Sequence, residues 1–400
     1  MMLGFLLARA GVDVLVLEKH ADFLRDFRGD TIHPSTLELM YELGLLEEFL
    51  KRPHDKLRRI VAQVGDETIT LGDFTHLPTH CKFLVLMPQW DFLDFIAEQA
   101  GKYPAFQLRL NAEATDLIVE NGSIVGLTAR TPAGDLEVRA DLTISADGRR
   151  SIIRDRAGLE VLHVGAPMDV MWMRLSRKPD DPEQTFGHAV PGKILVLINR
   201  DTYWQAAFVI PKGAADEIRS RGLPTFQREI AEINPFLRDR VEELHDWNQI
   251  SLLTVAVDRL KKWSRPGLLC IGDAAHAMSP IGGVGINLAI QDAVATANIL
   301  SPKLRVGVPS PQDLQAVQKR RTFPTLATQR VQVAVQNNVI RRVLGSTKSF
   351  STPLPLKLLK FFPVLRRIPA RIVGMGFRPE HVIPFIAKPA PSETHVQRTA

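Results

Sequence analysis

The sequence predicts a two-domain α/β protein in which a parallel-sheet domain is split by an inserted, mainly antiparallel-sheet domain. Three observations carry this expectation. The chain opens with an apolar helix and a valine-rich strand, "LGFLLARAGVDVLVLE". The same texture returns late, as strand, glycine loop and long helix, in "GLLCIGDAAHAMSPIGGVGINLAIQDAVATANIL". Between them, from about 164 to 257, strand-like runs such as "KILVLIN" and "YWQAAFVI" replace the alternation of strand and helix. With 400 residues, 45% of them hydrophobic, the chain can bury one large core or two ordinary ones.

The elements follow in order. Leu3–Ala10 reads as a buried helix, Gly11 as its stop, and Val12–Leu17 as a strand of a parallel sheet ending at Glu18. "STLELMYELGLLEEF" is helical, with Ser35 as its cap and Gly44 as its stop. Arg58–Leu71 alternates loosely and reads as one or two strands, and a helix opens after Pro88. Residues 106–110, 114–120, 123–130 and 135–139 read as a meander, with Asn121-Gly122 and Ala133-Gly134 as hairpin turns. Strand Leu142–Ser145 leads into a helix carrying Arg150 and Arg154, and a helical stretch spans Ala214–Leu244. Strand Leu268–Ile271, helix Ile286–Ile299 and a helix from about Gln312 to Leu344 close the first texture. The expected division is 1–72, 89–163 and 258–345 for the split domain, with 73–88 and 164–257 for the inserted one. Residues 346–388 form a helical cap and 389–400 a tail.

Composition narrows the function. The formal charge of +6 favours anionic ligands without choosing among them. The two cysteines, Cys81 and Cys270, form no disulfide framework and no metal-ligand spacing, so a reducing cytoplasm and no metal are expected. No apolar run reaches membrane-spanning length, and the N-terminus lacks the flanks of a signal peptide. Nucleic-acid binding would rest on charge alone, with no recognised module.

Three stretches carry chemistry. Glu18, an acid at the end of a strand of this kind, either hydrogen-bonds the ribose of an adenine nucleotide or pairs in solvent with Lys19. In "SADGRRSIIR", Asp147-Gly148 follows a strand and precedes a helix, which suits an anion or forms an ordinary turn. The third stretch is the most specific. Leu268–Ile271 runs into Gly272-Asp273, where a carboxylate can accept hydrogen bonds from a polyol. Pro280, Gly282, Gly283 and Gly285 then make a loop almost without side chains, opening onto a helix N-terminus. His276, between alanines, either touches the ligand or packs in the loop.

Together these stretches resemble the class A flavoprotein monooxygenases, the para-hydroxybenzoate hydroxylase-like family, from Met1 to about Glu380. "GDAAHAMSPIGGVGINLAIQDA" is similar to that family's second FAD motif. The resemblance implies that Gly272 and Asp273 hold the ribityl chain and that Pro280 to Asn287, including Gly283, Gly285 and Ile286, lie against the isoalloxazine. It implies that Asp147 and Gly148 contribute to FAD and nicotinamide binding, that Glu18 and Lys19 flank the adenosine, and that Arg28 and Gln89 contact FAD. In the family a strand and a G-x-G-x-x-G turn precede the helix that opens this chain. The expectation is therefore a longer natural protein, because losing a central strand of a parallel sheet bares two edges.

The implied activity is hydroxylation of an aromatic, polyketide-like or other electron-rich small molecule, with NAD(P)H and O2, through a C4a-hydroperoxyflavin in a dry pocket. Strands 169–176, 194–199 and 203–210 would form the far wall, with Trp172, His188, Tyr203, Trp204 and Phe208 as candidate liners. Alternation of side chains turns about half of these away. No catalytic base is identified. Rival readings are a reductase of the same fold acting on a lipid or quinone-like substrate, and a non-catalytic remnant of the family. The lysine and tryptophan motif of halogenases is absent. Residues 353–378 are basic and apolar, and read as a cap over the pocket mouth or as a weak contact with an anionic membrane surface.

Overall fold

The computed structural model describes residues 1–24, 31–65, 67–347 and 352–384. The opening helix spans Met2–Arg9 and leads, through Gly11 at φ +75°, into strand Val14–Leu17. Gly4 lies where helix crosses sheet. A Cβ there would stand 2.7 Å from Val16 Cγ2 and 3.1 Å from the Phe106 ring, so any side chain would lift the helix off the strand. Val14–Leu17 pairs in parallel with Phe106–Arg109. That corrects the placement of 106–110 in the meander, which is three-stranded: Glu113–Glu120, Ser123–Thr131 and Gly134–Arg139. Asn121 and Gly122, at φ +50° and +79°, make its first tight turn. Thr143–Ser145 runs parallel to Leu268–Cys270.

Helices Met2–Arg9, Pro34–Glu42, Gln89–Ala100 and Val284–Leu304 share one apolar core, which includes Phe5, Leu37, Phe95, Ile96 and Val294. Burial of these side chains is what holds the late glycine loop and its helix against the N-terminal elements.

The second unit is a seven-stranded sheet. Its order is Ser251–Leu253, Met168–Ser176, Tyr203–Pro211, Lys193–Asn199, Phe186–Val190, Arg59–Val64 and Glu67–Asp73. The last two strands move out of the expected 1–72 segment, because Val61 to Val64 pair in parallel with Phe186 to Ala189. Conversely, Leu84–Leu86, within the expected inserted segment 73–88, pairs with Thr31–Ile32 and Asp55–Leu57 and so lies with the first domain. The expected helix 214–244 resolves into Ala215–Ser220 and Leu223–Ile233, broken at Gly222 (φ +84°) and ended before Pro235.

Helix Pro311–Val335 continues through one wide turn, Gln336–Ile340, to Leu344. Helices Leu354–Phe361 and Arg367–Gly374 then fold over the sheet edge. A Cβ on Gly72 would stand 3.5 Å from the Ala370 nitrogen, so strand and cap are in close contact. Among the described residues, no helix is long and apolar enough to cross a membrane. The tail 389–400 lies outside the described residues.

Candidate active site

The two motif turns emerge side by side because their strands are parallel neighbours, Ser145 opposite Cys270. Side chains then tie them together. Arg149 Nε lies 3.3 Å from Asp273 Oδ2. Arg154, buried, donates to the Arg149 carbonyl at 2.9 Å and to the Ala274 carbonyl at 3.5 Å. Ser145 and Ser151 share a 2.9 Å hydrogen bond, and Ser145 donates to Asp147 at 2.5 Å. The helix after this turn starts only at Ile152, capped by Ser151, so Arg150 lies outside it and is exposed. Asp273 keeps about a third of its side-chain surface open, and Asp147 is exposed.

Gly272, at φ +58°, makes the sharp exit from the strand. A Cβ there would stand 3.0 Å from Ala289 Cβ on the loop helix, Val284–Leu304. The Gly272 N–H donates to Asp292 at 3.0 Å. Asp292 is fully buried and also receives His276 Nε2 at 2.5 Å and Arg321 Nε at 2.8 Å. Burial alone raises the Asp292 pKa. His276 and Arg321 outweigh it, and the carboxyl lies below its ordinary range. Arg321 reaches on to Glu380 at 3.2 Å, which Arg320 holds with two bonds of 2.8 and 2.9 Å. His276 is thus a core residue beneath the turn, its ring 5.0 Å from that of Trp263, and not a ligand contact.

The glycine loop is strapped on two sides. From the N-terminal segment, Thr31 donates to the Gly283 carbonyl at 3.1 Å. Asn287 accepts from the His33 N–H and the Thr36 hydroxyl, both at 2.8 Å, and donates to the Thr31 carbonyl at 2.9 Å. From helix Pro311–Val335, Gln332 accepts from the Ser279 N–H at 3.1 Å and donates to the Ser279 and Ile281 carbonyls. Gly283 sits at φ +62°, where a Cβ would stand 2.2 Å from Thr31 Oγ1. The loop helix starts there with no side-chain cap, although it is 21 residues long.

Such a helix start leaves backbone N–H donors for a ligand. A polyol can meet Asp273, and the carbonyl edge of a flat ring can meet the first turn of the helix. The residues therefore fit FAD.

The other expected contacts sit around this centre. Glu18 ends strand Val14–Leu17 and accepts from the His20 N–H at 3.0 Å, while Lys19 is exposed. Gln89 opens helix Gln89–Ala100 directly after Pro88. Arg28 lies outside the described residues. Burial pushes the Cys270 thiol up to about 12, so it is held as a neutral core residue. Among the described residues, no cluster of His, Cys, Asp or Glu could hold a metal ion.

Strand alternation sorts the wall candidates. Trp172 lies opposite Ala207, itself opposite Val196, and all three share an apolar cluster with Ile281 of the glycine loop. Tyr203 stands under the Arg174 guanidinium, 3.8 Å from its ring centre. His188, Trp204 and Phe208 point the other way and are corrected as liners. Trp204 and Phe208 fill the core under helix Leu223–Ile233, Trp204 donating to Asp181 at 2.9 Å, and His188 bonds Asn234 at 3.0 Å.

Sequence reasoning missed Asp292, Arg321, Glu380 and Gln332. The signals were present: an acid inside an otherwise apolar helix, and glutamines at 329, 332 and 336 on one helical face.

Comparisons with known proteins bear on the family and the fold. A family model described as "FAD binding domain" matches residues 1–331. The 6-methylpretetramide 4-monooxygenase of Streptomyces rimosus is 31% identical over 373 residues, covering 92% of this chain and 88% of that protein. Two solved structures share the fold. PqsL, a probable FAD-dependent monooxygenase from Pseudomonas aeruginosa, matches with a TM-score of 0.72 and 20% identity over 86% of this chain and 94% of that one. The OxyS anhydrotetracycline hydroxylase from Streptomyces rimosus matches with a TM-score of 0.72 and 21% identity, over 93% of this chain and 73% of that one.

Proposed function

The chain belongs to the FAD binding domain family, as a class A FAD-dependent monooxygenase, and on that premise we propose that it hydroxylates an aromatic, polyketide-like ring held between the glycine loop and the seven-stranded sheet. The observation that carries this reading is that Trp172, Val196 and Ala207 of one sheet face and Ile281 of the glycine loop belong to the same apolar cluster. The likeness to the 6-methylpretetramide enzyme supports a flat, fused-ring substrate.

Bound FAD supplies the redox chemistry, taking electrons from NAD(P)H and passing them to O2. The chain supplies position and dryness. Asp273 would accept hydrogen bonds from the ribityl hydroxyls, and Glu18 from those of the adenosine ribose. Backbone N–H groups of Gly285, Ile286 and Asn287 would serve the ring, and Thr31 and Asn287 hold the loop that carries them. Asp147 and Gly148 border the same opening. The apolar sheet face excludes water, which protects reactive species from decay.

The cap carries exposed Leu354, Phe361, Phe362 and Val364 among Lys357, Lys360 and Arg366. This supports weak contact with an anionic membrane surface. Labelling with 18O2 tests the main reading. FAD-loaded protein with NAD(P)H and a phenolic fused-ring compound should give product carrying one 18O atom. Unlabelled product, or hydrogen peroxide alone with every electron-rich aromatic tried, would overturn it.

A further inference from the structure

Between the glycine loop, its helix, the next long helix and the cap lies a cavity of about 180 Å³. Its apolar walls include Val284 and Leu288 of the loop helix, Val331 and Val335 of the next helix, and Ile372 and Met375 of the cap. No lining residue belongs to the seven-stranded sheet, so the cavity is distinct from the proposed hydroxylation pocket.

Of the buried polar side chains that line it, two keep a polar atom without a hydrogen bond: His33, 1% exposed, and Gln291, 5% exposed. His33 Nδ1 lies 2.7 Å from the Val373 carbonyl oxygen. A carbonyl only accepts, so Nδ1 carries the proton and Nε2 is a bare acceptor. Nε2 makes no hydrogen bond within the protein, although the Gly282 carbonyl also lies beside the ring. Gln291 uses its oxygen to accept from the Glu380 N–H, and its amide nitrogen, a donor, has no protein partner either. The charge of Arg321, also at the wall, is met by Asp292 and Glu380.

We propose that this cavity is a second binding site, for a neutral, ring-sized molecule carrying one hydroxyl group. A hydroxyl both donates and accepts, which answers His33 Nε2 and the Gln291 amide together. Size sets the rest of the molecule. Engineered apolar cavities of roughly 150 Å³ hold a benzene ring, so one ring fits here and a fused-ring substrate does not. Ile281 and Gly282 form part of the wall, so an occupant props the glycine loop.

The test uses the FAD-loaded full chain, with cyclohexanol as probe and methylcyclohexane as control. Both are saturated rings outside the proposed substrate class, and no turnover is required, so the outcome is independent of the hydroxylase reading. Calorimetric titration and thermal unfolding should show saturable binding of cyclohexanol, at least about tenfold tighter than methylcyclohexane. Val331→Phe, which fills the cavity, should abolish both signals. Gln291→Leu should bring the two probes to similar affinity. Equal affinity of the two probes for the unsubstituted protein would overturn the role of the polar pair. Unchanged binding in Val331→Phe would place the probe elsewhere, and no binding at millimolar concentration would leave the cavity to water; either result overturns the proposal.

Discussion

Asp292→Asn is the sharpest perturbation of the turn that presents Asp273. The carboxylate accepts from Gly272 N–H, His276 and Arg321 at 3.0, 2.5 and 2.8 Å, all out of water. An asparagine keeps the shape but offers one oxygen, and its amide hydrogens meet another donor. Breaking a buried charge pair while leaving one partner in place costs about 3–5 kcal/mol. Unfolding entropy is roughly 2.1 cal/mol/K per residue. Over 400 residues that loss lowers the melting temperature by roughly 4–6 °C. Whichever position the amide nitrogen takes, it meets Arg321 or the Gly272 N–H with a donor and loosens the turn, so FAD affinity falls with stability.

The pH dependence has a definite sign. Asp292 is depressed in the folded protein, so its stabilisation is complete above the unfolded value of 3.8 and is lost as pH falls through the folded value. Asp292→Asn should remove that share of the acid sensitivity. Calorimetry and a flavin quenching titration read both effects. An unchanged melting temperature with unchanged FAD affinity would refute the argument that this network holds the turn.

Other perturbations separate the parts of the account. Gly283→Ala forces a side chain at φ +62° against Thr31 Oγ1 and should cost about 1–3 kcal/mol; Thr31→Ala should restore only part of it in a double-mutant cycle, because the backbone strain remains. Burial lowers the His33 pKa from 6.5 to about 4 against the Val373 carbonyl, so folding stability should decline as pH falls from 6.5 toward 4, by about 3 kcal/mol in all; His33→Gln should flatten that part of a urea-unfolding series. Trp172→Ala should raise the substrate KM or divert NAD(P)H oxidation to hydrogen peroxide, whereas Phe208→Ala should lower stability by about 3–5 kcal/mol and leave KM unchanged. The parent should cosediment with anionic vesicles, and replacing Phe361 and Phe362 by serine should abolish it.

Local pattern carried the strand, acid, glycine loop and helix from Leu268 to Leu304, because each piece is specified by nearby residues. Long-range pairing was not legible. Phe106–Arg109 looks like any short strand, and only its register with Val14–Leu17 places it in the parallel sheet. Arg59–Val64 and Glu67–Asp73 likewise reveal their sheet through Phe186–Ala189, far along the chain. Aromatic identity could not say which face of a strand a residue takes. A one-residue shift in parity is what separates Trp172 from Trp204. The polar scaffold under the loop was invisible for another reason. A buried Asp292 or Gln332 reads like a surface residue until its partners come from distant helices.

The most direct test of the central claim is an FAD quenching titration of this chain beside its Asp273→Ala variant. The account predicts saturable binding by the unsubstituted chain, weakened about tenfold or more in the variant, which corresponds to ~1.4 kcal/mol or more. Equal affinities, or no flavin bound by the unsubstituted chain, would contradict it.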